Sequence, residues 1–180
     1  VLLLSGSAFA GGIQLRLKQG SFDPLTSKRD LTKASAFHVS AYTKGEVRLH
    51  LVQYDRPVGS EDIKRLTTSG LQVLDYIPDN AYVVLASPEQ LDRLKLPGIR
   101  WKGIFQPAYR VDPVLMSPPG KSMERQKETV TLNVTFYPVD DASIVRFQLA
   151  DVGADVLAWG ESEWQQKARV AVNRDEIDAL

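Results

Sequence analysis

The chain of 180 residues contains no cysteine and only two histidines, and neither sign of charge is in excess. Without cysteine, no disulfide framework, thiolate nucleophile or zinc–thiolate site can form. The 22 basic and 22 acidic residues cancel, whereas a nucleic-acid-binding domain normally carries a basic excess on one face. The hydrophobic content of 43% and the charged content of 24% are typical of soluble globular proteins, so we expect one or two folded domains.

The two histidines lie outside any motif for catalysis or metal binding. A nucleophilic Ser–His–Asp arrangement needs a histidine held by a carboxylate beside a serine, and the Gly-x-Ser-x-Gly pattern does not occur. His50 alternates with Leu49 and Leu51, which predicts an exposed position on a strand, and His38 lies in a loosely patterned stretch. Gly120-Lys121-Ser122 lacks the earlier glycine of a phosphate-binding loop. The sequence therefore predicts no catalytic residue, no metal site and no cofactor.

Residues 1–10 are similar to the second half of a secretory signal peptide. An apolar run ends in Ala8-Phe9-Ala10, the small-x-small pattern at which signal peptidase cuts. The run is far shorter than the roughly 20 residues that a membrane-spanning helix needs. We therefore expect a signal peptide remnant and a secreted or periplasmic protein, with no membrane contact beyond export. The alternative is an ordinary apolar strand at the N-terminus.

Residues 11–45 mix charged and small polar residues without a sustained period, which predicts an extended leader. The segment 37–39 is its one candidate strand.

A first repeat is predicted over residues 46–113. The apolar residues Val47, Leu49 and Leu51 alternate with others as in a half-buried strand. The stretch 71–85 reads as two strands joined at Pro78-Asp79-Asn80, because proline fixes φ and Asp-Asn tolerates a left-handed backbone. A fourth strand is expected over 99–104.

Two helices are predicted between these strands. Ser60 is the candidate N-cap of the first helix, and Gly70 stands where a left-handed C-cap belongs. Ser87 followed by Pro88 marks the start of the second helix. The predicted order of elements is βαββαβ.

A second repeat is predicted over residues 128–180, after a proline-rich linker over 114–127. Leu149 follows Leu66 by 83 residues and Gly153 follows Gly70 by 83, and 173–180 matches 87–94 with an offset of 86. Leu132, Val134 and Phe136 are likewise expected to repeat the alternation that begins at Leu49. A counterpart of the strand over 99–104 is missing from this repeat, so we expect the chain to be a fragment of a longer protein.

Four segments together resemble the N-terminal region of secreted bacterial subtilisin-like serine proteases (subtilases). The two more specific ones are Asp75-Tyr76-Ile77-Pro78-Asp79-Asn80-Ala81-Tyr82 and Pro107-Ala108-Tyr109-Arg110. The others are Leu51–Pro57 and Leu96–Gly103. The second repeat resembles the same propeptide-like module in pattern only.

The resemblance implies an α+β fold of two tandem ferredoxin-like units, each an antiparallel sheet with two helices on one face. The second unit is truncated before its last strand. It also implies a non-catalytic propeptide-like region that assists the folding of a downstream peptidase domain, inhibits it, or does both. The partner would be the cognate catalytic domain, with its Asp, His and Ser beyond residue 180.

Three aromatic residues near the end of the first repeat are candidate partner contacts: Trp101, Phe105 and Tyr109. Aromatic side chains more often fill a core or cover a sheet face, which is the alternative for each of them. A different class of function also stays open, namely a stand-alone module of the cell envelope that binds another protein through an exposed sheet face.

Overall fold

The computed structural model describes residues 12–26, 37–115, 128–137, 142–162 and 165–179. The described residues form an α+β structure with antiparallel sheets and few helices, which confirms the predicted class. The chain divides into two compact units, an N-terminal unit (Val1–Asp112) and a C-terminal unit (Pro113–Leu180). The expected signal remnant and nearly all of the linker lie outside the described residues.

The N-terminal unit is built on a four-stranded antiparallel sheet and two helices. Its elements are, in chain order, β3 (Arg48–Tyr54), α1 (Ser60–Thr68), β4 (Gln72–Ile77), β5 (Ala81–Ala86), α2 (Pro88–Arg93) and β6 (Ile99–Ile104). The strands lie in the order β4-β5-β3-β6. Strand β3 lies in the middle, because it pairs with β5 on one edge and with β6 on the other. The unit thus contains the alternation of strands and helices that the sequence predicts for residues 46–113.

Local sequence explains the ends of these elements. Asp79 and Asn80 have φ angles of 67° and 68°, so the turn between β4 and β5 is left-handed at the two residues predicted to tolerate it. At α2, the Ser87 hydroxyl accepts a hydrogen bond from the Gln90 amide, as its predicted N-cap role requires. The predicted cap of α1 is wrong by one residue, because the N-cap is Gly59 and Ser60 is the first helical residue.

The core of the N-terminal unit lies between the sheet and its two helices. Val52 and Tyr54 of β3 pack there with Leu66 of α1 and Leu91 at α2. The predicted inward face of β3 is therefore wrong, because the helix side takes the even-numbered residues. The prediction that His50 is exposed is also wrong, because His50 lies on this helix side beside α2 and only 3% of its surface is exposed. Leu51 and Gln53, on the opposite face, are fully buried too, since a central strand is covered on both faces.

The leader contributes a short antiparallel hairpin, β1 (Leu15–Leu17) and β2 (Gly20–Phe22). Leu15 is fully buried and Phe22 is 8% exposed, so this hairpin belongs to a packed structure. The predicted strand over 37–39 is wrong: Phe37 is in a helical turn and the two following residues have no regular structure.

The elements of the C-terminal unit are β7 (Thr129–Phe136), α3 (Ala142–Asp151), β8 (Asp155–Glu161), β9 (Gln166–Asn173) and a 3₁₀ helix (Arg174–Ala179). Its three strands form an antiparallel sheet in the order β7-β9-β8. A second apolar core forms where Val145 and Leu149 of α3 meet Val170 and Val172 of β9. Among the described residues, no helix is both long and apolar enough to span a membrane.

The spacing between corresponding residues of the two units changes along the chain. Phe136 and Val134 pack toward the helix as Tyr54 and Val52 do, which is a spacing of 82. The spacing of 83 predicted for this part of the repeat is therefore off by one in the first strand, and a shift of one residue in a strand exchanges its two faces.

Candidate interaction surfaces

The sheet face of the N-terminal unit that points away from the helices is occupied by the leader. Asp23, just after β2, forms an ion pair with Arg100 of β6 at 2.7 Å, and both side chains are largely buried. Arg100 also donates to the Gln53 amide oxygen at 3.3 Å, and Gln53 in turn donates to the Asp79 carbonyl at 3.2 Å. The Arg100 guanidinium holds the pKa of the Asp23 carboxyl below its usual value.

Further contacts fix the leader at both ends. Arg16 of β1 pairs with the Asp79 carboxylate at 2.7 Å, at the tip of the β4–β5 hairpin. Val39 exchanges two hydrogen bonds with the side chain of Gln106, at 2.8 and 2.9 Å. These residues lie more than 60 positions apart in the sequence, so the leader is part of the tertiary structure of this unit.

The three predicted partner-contact residues lie near this covered face. Phe105 is buried, with 7% of its surface exposed, and the Arg110 guanidinium lies 5.8 Å from its ring centre. The Tyr109 ring lies 5.5 Å from the ring of Phe22 in β2. Trp101 is partly buried over Gly103. Phe105 and Tyr109 thus have partners within the chain, whereas a contact of Trp101 with another protein stays a prediction.

A cavity of about 280 Å³ lies beside α2 in the N-terminal unit. Ser40, His50 and Asp92 line it, which are the three residue types of a nucleophilic triad. The His50 Nδ1 atom lies 2.9 Å from the Arg48 carbonyl oxygen. In a catalytic triad a carboxylate holds this nitrogen, whereas here a backbone carbonyl orients the ring. Among the described residues, no hydrogen bond joins His50 to Ser40 or to Asp92.

The two basic side chains that line this cavity, His50 and Lys102, have partners within the chain. Burial lowers the pKa of His50, and its ring stands edge-on to Tyr42 at 5.4 Å. Lys102 directs its ammonium group at the carbonyls of Leu91 and Leu94, where it caps the end of α2. Within the part of the chain that the structure describes, no cluster of histidine and acidic side chains could hold a metal ion.

The corresponding sheet face of the C-terminal unit is exposed and polar. Thr131, Asn133 and Thr135 of β7 are exposed, and they pair across to Ala171, Arg169 and Lys167 of β9. Arg169 and Lys167 are exposed too, so two cations stand side by side near the middle of this face. An open sheet face with matched polar side chains is a surface on which another protein can dock.

The outer side of α3 adds apolar surface to the same unit. Phe147 is 73% exposed and Ile144 is 56% exposed, and they are neighbours at a spacing of three residues on one face of the helix. The other side of α3 carries Val145 and Leu149 into the core. The helical period of apolar residues in the sequence did not indicate this surface, because α3 carries apolar residues on two sides.

Comparison with known proteins identifies one family. The family described as "Domain of unknown function (DUF8729)" matches residues 16–106, from the leader hairpin to the end of β6. No curated protein and no solved structure matches the chain significantly. Because residues 16–106 are half of the 180 residues, the chain belongs to the family of the domain of unknown function DUF8729.

Proposed function

We propose that this chain is the exported, non-catalytic N-terminal region of a subtilisin-like serine protease precursor. In this role it acts on the peptidase domain of the same precursor as an intramolecular chaperone, an inhibitor or both. The observation that carries the proposal is the strand order β4-β5-β3-β6, with β3 central and the helices α1 and α2 on one face. This is the order expected for the ferredoxin-like module that the resemblance over residues 51–110 implies.

The same proposal includes the topology of both units. They are two tandem ferredoxin-like units, of which the second ends before its last strand. The three strands of the C-terminal unit support it, because β7-β9-β8 has the relation of first, third and second strand that β3, β5 and β4 have. The counterpart of α2 is the 3₁₀ helix Arg174–Ala179, which follows β9 as α2 follows β5.

The open face of the C-terminal unit is the docking surface that we assign to the peptidase domain. On the N-terminal unit the same face is already covered by the leader through Asp23 and Arg100. A rigid sheet can offer about 800 Å² to a partner, which is the share of each side in an interface of ordinary size. A preformed surface of that kind lowers the entropic cost of ordering a slowly folding partner.

Refolding of the peptidase domain tests the proposal. The full chain should raise the yield of active peptidase from denaturant, and it should inhibit the folded peptidase. The double variant Lys167→Glu/Arg169→Glu should lose both effects, because it reverses the charge of the open face. Lys64→Glu, on the exposed side of α1, is the matched control and should keep both. Equal yield and equal peptidase activity with and without the chain would contradict the proposal.

The alternative is a stand-alone envelope module that binds another protein through its open sheet face. The exposed polar face and the apolar pair Ile144 and Phe147 support it equally well. The reading frame after Leu180 distinguishes the two. An Asp, a His and a Gly-x-Ser motif in subtilase order favour the precursor, and a stop codon or an unrelated domain favours the module.

A further inference from the structure

The cavity beside α2 is larger than the voids that a packed core leaves. Its volume of about 280 Å³ is the share of about nine water molecules in the liquid, whereas voids larger than a single water are few in protein interiors. Ser40 and Asp92 are exposed and stand at its mouth. His50 and Leu91 are 3% and 6% exposed and form its floor. The cavity therefore runs from the surface of the N-terminal unit to its core.

Much of the lining of this cavity is apolar. Carbon-rich side chains come from the leader, from α2 and its start, and from β6: Ala41, Tyr42, Pro88, Leu91 and Ile104. A dry apolar cavity of about 150 Å³ is large enough to bind benzene. The cavity beside α2 thus has room for an aromatic ring with a substituent, and its lining favours a ligand with an apolar body.

The floor of the cavity carries a hydrogen-bond acceptor, the Nε2 atom of His50. The Arg48 carbonyl that orients the ring can only accept a hydrogen bond, so the Nδ1 atom carries the hydrogen. Because burial lowers the pKa of His50, the ring is neutral at pH 7 and Nε2 keeps its lone pair. Among the described residues, no hydrogen bond reaches Nε2. A buried acceptor without a partner favours a ligand that brings a hydrogen-bond donor.

The charge of Lys102 restricts the ligand further. Its ammonium group donates to the carbonyl oxygens of Leu91 and Leu94, and it forms no ion pair within the part of the chain that the structure describes. A ligand with an ammonium group of its own would be repelled by this charge. A ligand with a carboxylate brings no hydrogen for the Nε2 atom of His50. The donors that remain are the hydroxyl group and the ring N–H group of an uncharged ligand.

We infer that this cavity binds a small uncharged aromatic ligand, which donates the hydrogen of a hydroxyl or ring N–H group to the Nε2 atom of His50. The ring of the ligand packs against Leu91 and Ile104. It lies next to the Tyr42 ring, which already stands edge-on to the imidazole at 5.4 Å. The inference is independent of the proposed function, because the site requires neither the open sheet face nor a peptidase domain.

Titration of the full chain with phenol and with toluene, followed by amide chemical shifts, tests the inference. The two probes have the same size, and only phenol has a hydrogen to donate. Both should bind, and His50→Leu should weaken the binding of phenol about tenfold without weakening that of toluene. His38→Leu, at the other histidine, which is exposed, is the matched control and should change neither. Absence of phenol binding, or an equal loss for both probes in His50→Leu, would overturn the inference.

Nitrogen NMR of the histidine rings adds a second measurement that does not depend on how well the His50→Leu variant folds. In the unaltered chain, phenol should shift the Nε2 resonance of His50, because that atom accepts the new hydrogen bond. The Nδ1 atom keeps its bond to the Arg48 carbonyl, so its resonance should move less. Toluene should leave Nε2 nearly unchanged. Equal shifts of Nε2 with the two probes, or shifts of equal size at His38, would count against the site.

Discussion

The two units differ most in what covers the sheet on the side away from the helices. In the N-terminal unit the leader lies on that side, and β3 is buried on both faces from His50 to Tyr54. In the C-terminal unit β7 alternates between exposed and half-buried residues along its whole length. The first three strands of each unit lie in the same order, and this order therefore supports a covered face in one unit and an open face in the other. A covered sheet tolerates fewer changes in side-chain volume, and an open one is free to bind.

The first helices of the two units are also held differently. In α1, Asp62 forms a two-point ion pair with Arg56 at 2.7 and 2.9 Å, and its carboxylate accepts the Gly59 amide at 3.0 Å. The positions 83 residues further on are Val139 and Val145, so the C-terminal unit has no such pair at these positions. The N-terminus of α1 is held by an ion pair, whereas α3 is held by its apolar contacts.

The largest expected effect is the loss of that ion pair. The Arg56 guanidinium and the Gly59 amide lower the pKa of Asp62 from 3.8 to about 2. Asp62→Asn should reduce the free energy of unfolding of the N-terminal unit by about 1–2 kcal/mol at pH 7. The value is modest because Arg56 is partly exposed and solvent screens the ion pair. Denaturant titration, with hydrogen exchange of the α1 amides as the readout, measures this loss of free energy. Glu61→Gln, beside it and exposed, is the control and should change little.

The same substitution has a defined dependence on pH. Because the folded-state pKa is lowered, the stabilisation is complete above about pH 4, the range of an ordinary aspartate, and is lost as the pH falls through about 2. The difference between the unaltered chain and Asp62→Asn should therefore shrink in that window. A difference that stays constant from pH 7 to pH 2 would show that the charge of Asp62 is not its cause.

A pair of glycines compares the covered and the open sheet directly. A Cβ atom on Gly103 of β6 would lie 2.5 Å from a ring carbon of Trp101, so Gly103→Ala must displace the indole. We expect a loss of about 1 kcal/mol, the lower end for overpacking, because a partly exposed ring can move. Gly160 of β8 has no atom within 4 Å of the same position, and Gly160→Ala should be neutral or slightly stabilising. The shift of the urea midpoint in each variant gives both values, provided that the slope of unfolding free energy against urea concentration is unchanged. Equal midpoint shifts in the two variants would contradict the comparison.

Short-range features of the fold could be predicted from the sequence, and long-range ones could not. The left-handed pair Asp79 and Asn80 and the cap at Ser87 depend on residues within four positions, so local chemistry determines them. The burial of Gln53 and the docking of the leader depend on contacts such as Asp23 with Arg100, 77 residues apart. A period-2 pattern shows one buried face, and it carries no information about a segment that covers the second.

The candidate surfaces follow the same rule. The aromatic residues Trp101, Phe105 and Tyr109 could be picked out by type, but the neighbour of Tyr109 is Phe22 from the leader, which no local pattern indicates. The open face of β7 had a signal in the sequence, namely the alternation of Leu132, Val134 and Phe136 with polar residues. That nothing described covers this face could be recognised only by comparison with the N-terminal unit, where the leader covers the corresponding face through Asp23 and Arg100.

The smallest effect on overall stability is expected for the contact that fixes the leader. Asp23→Asn removes the charge that pairs with Arg100, while the apolar core between sheet and helices is untouched. We expect the amides of β1 and β2 to exchange faster, with little change in the protection of β3, because the leader opens locally while the sheet stays folded. Asp155→Asn, an exposed acid of the C-terminal unit, is the control and should leave the leader unchanged. If Asp23→Asn also released β3, the leader and the sheet would unfold as one cooperative structure, and the covered face would then be a requirement for folding of the N-terminal unit.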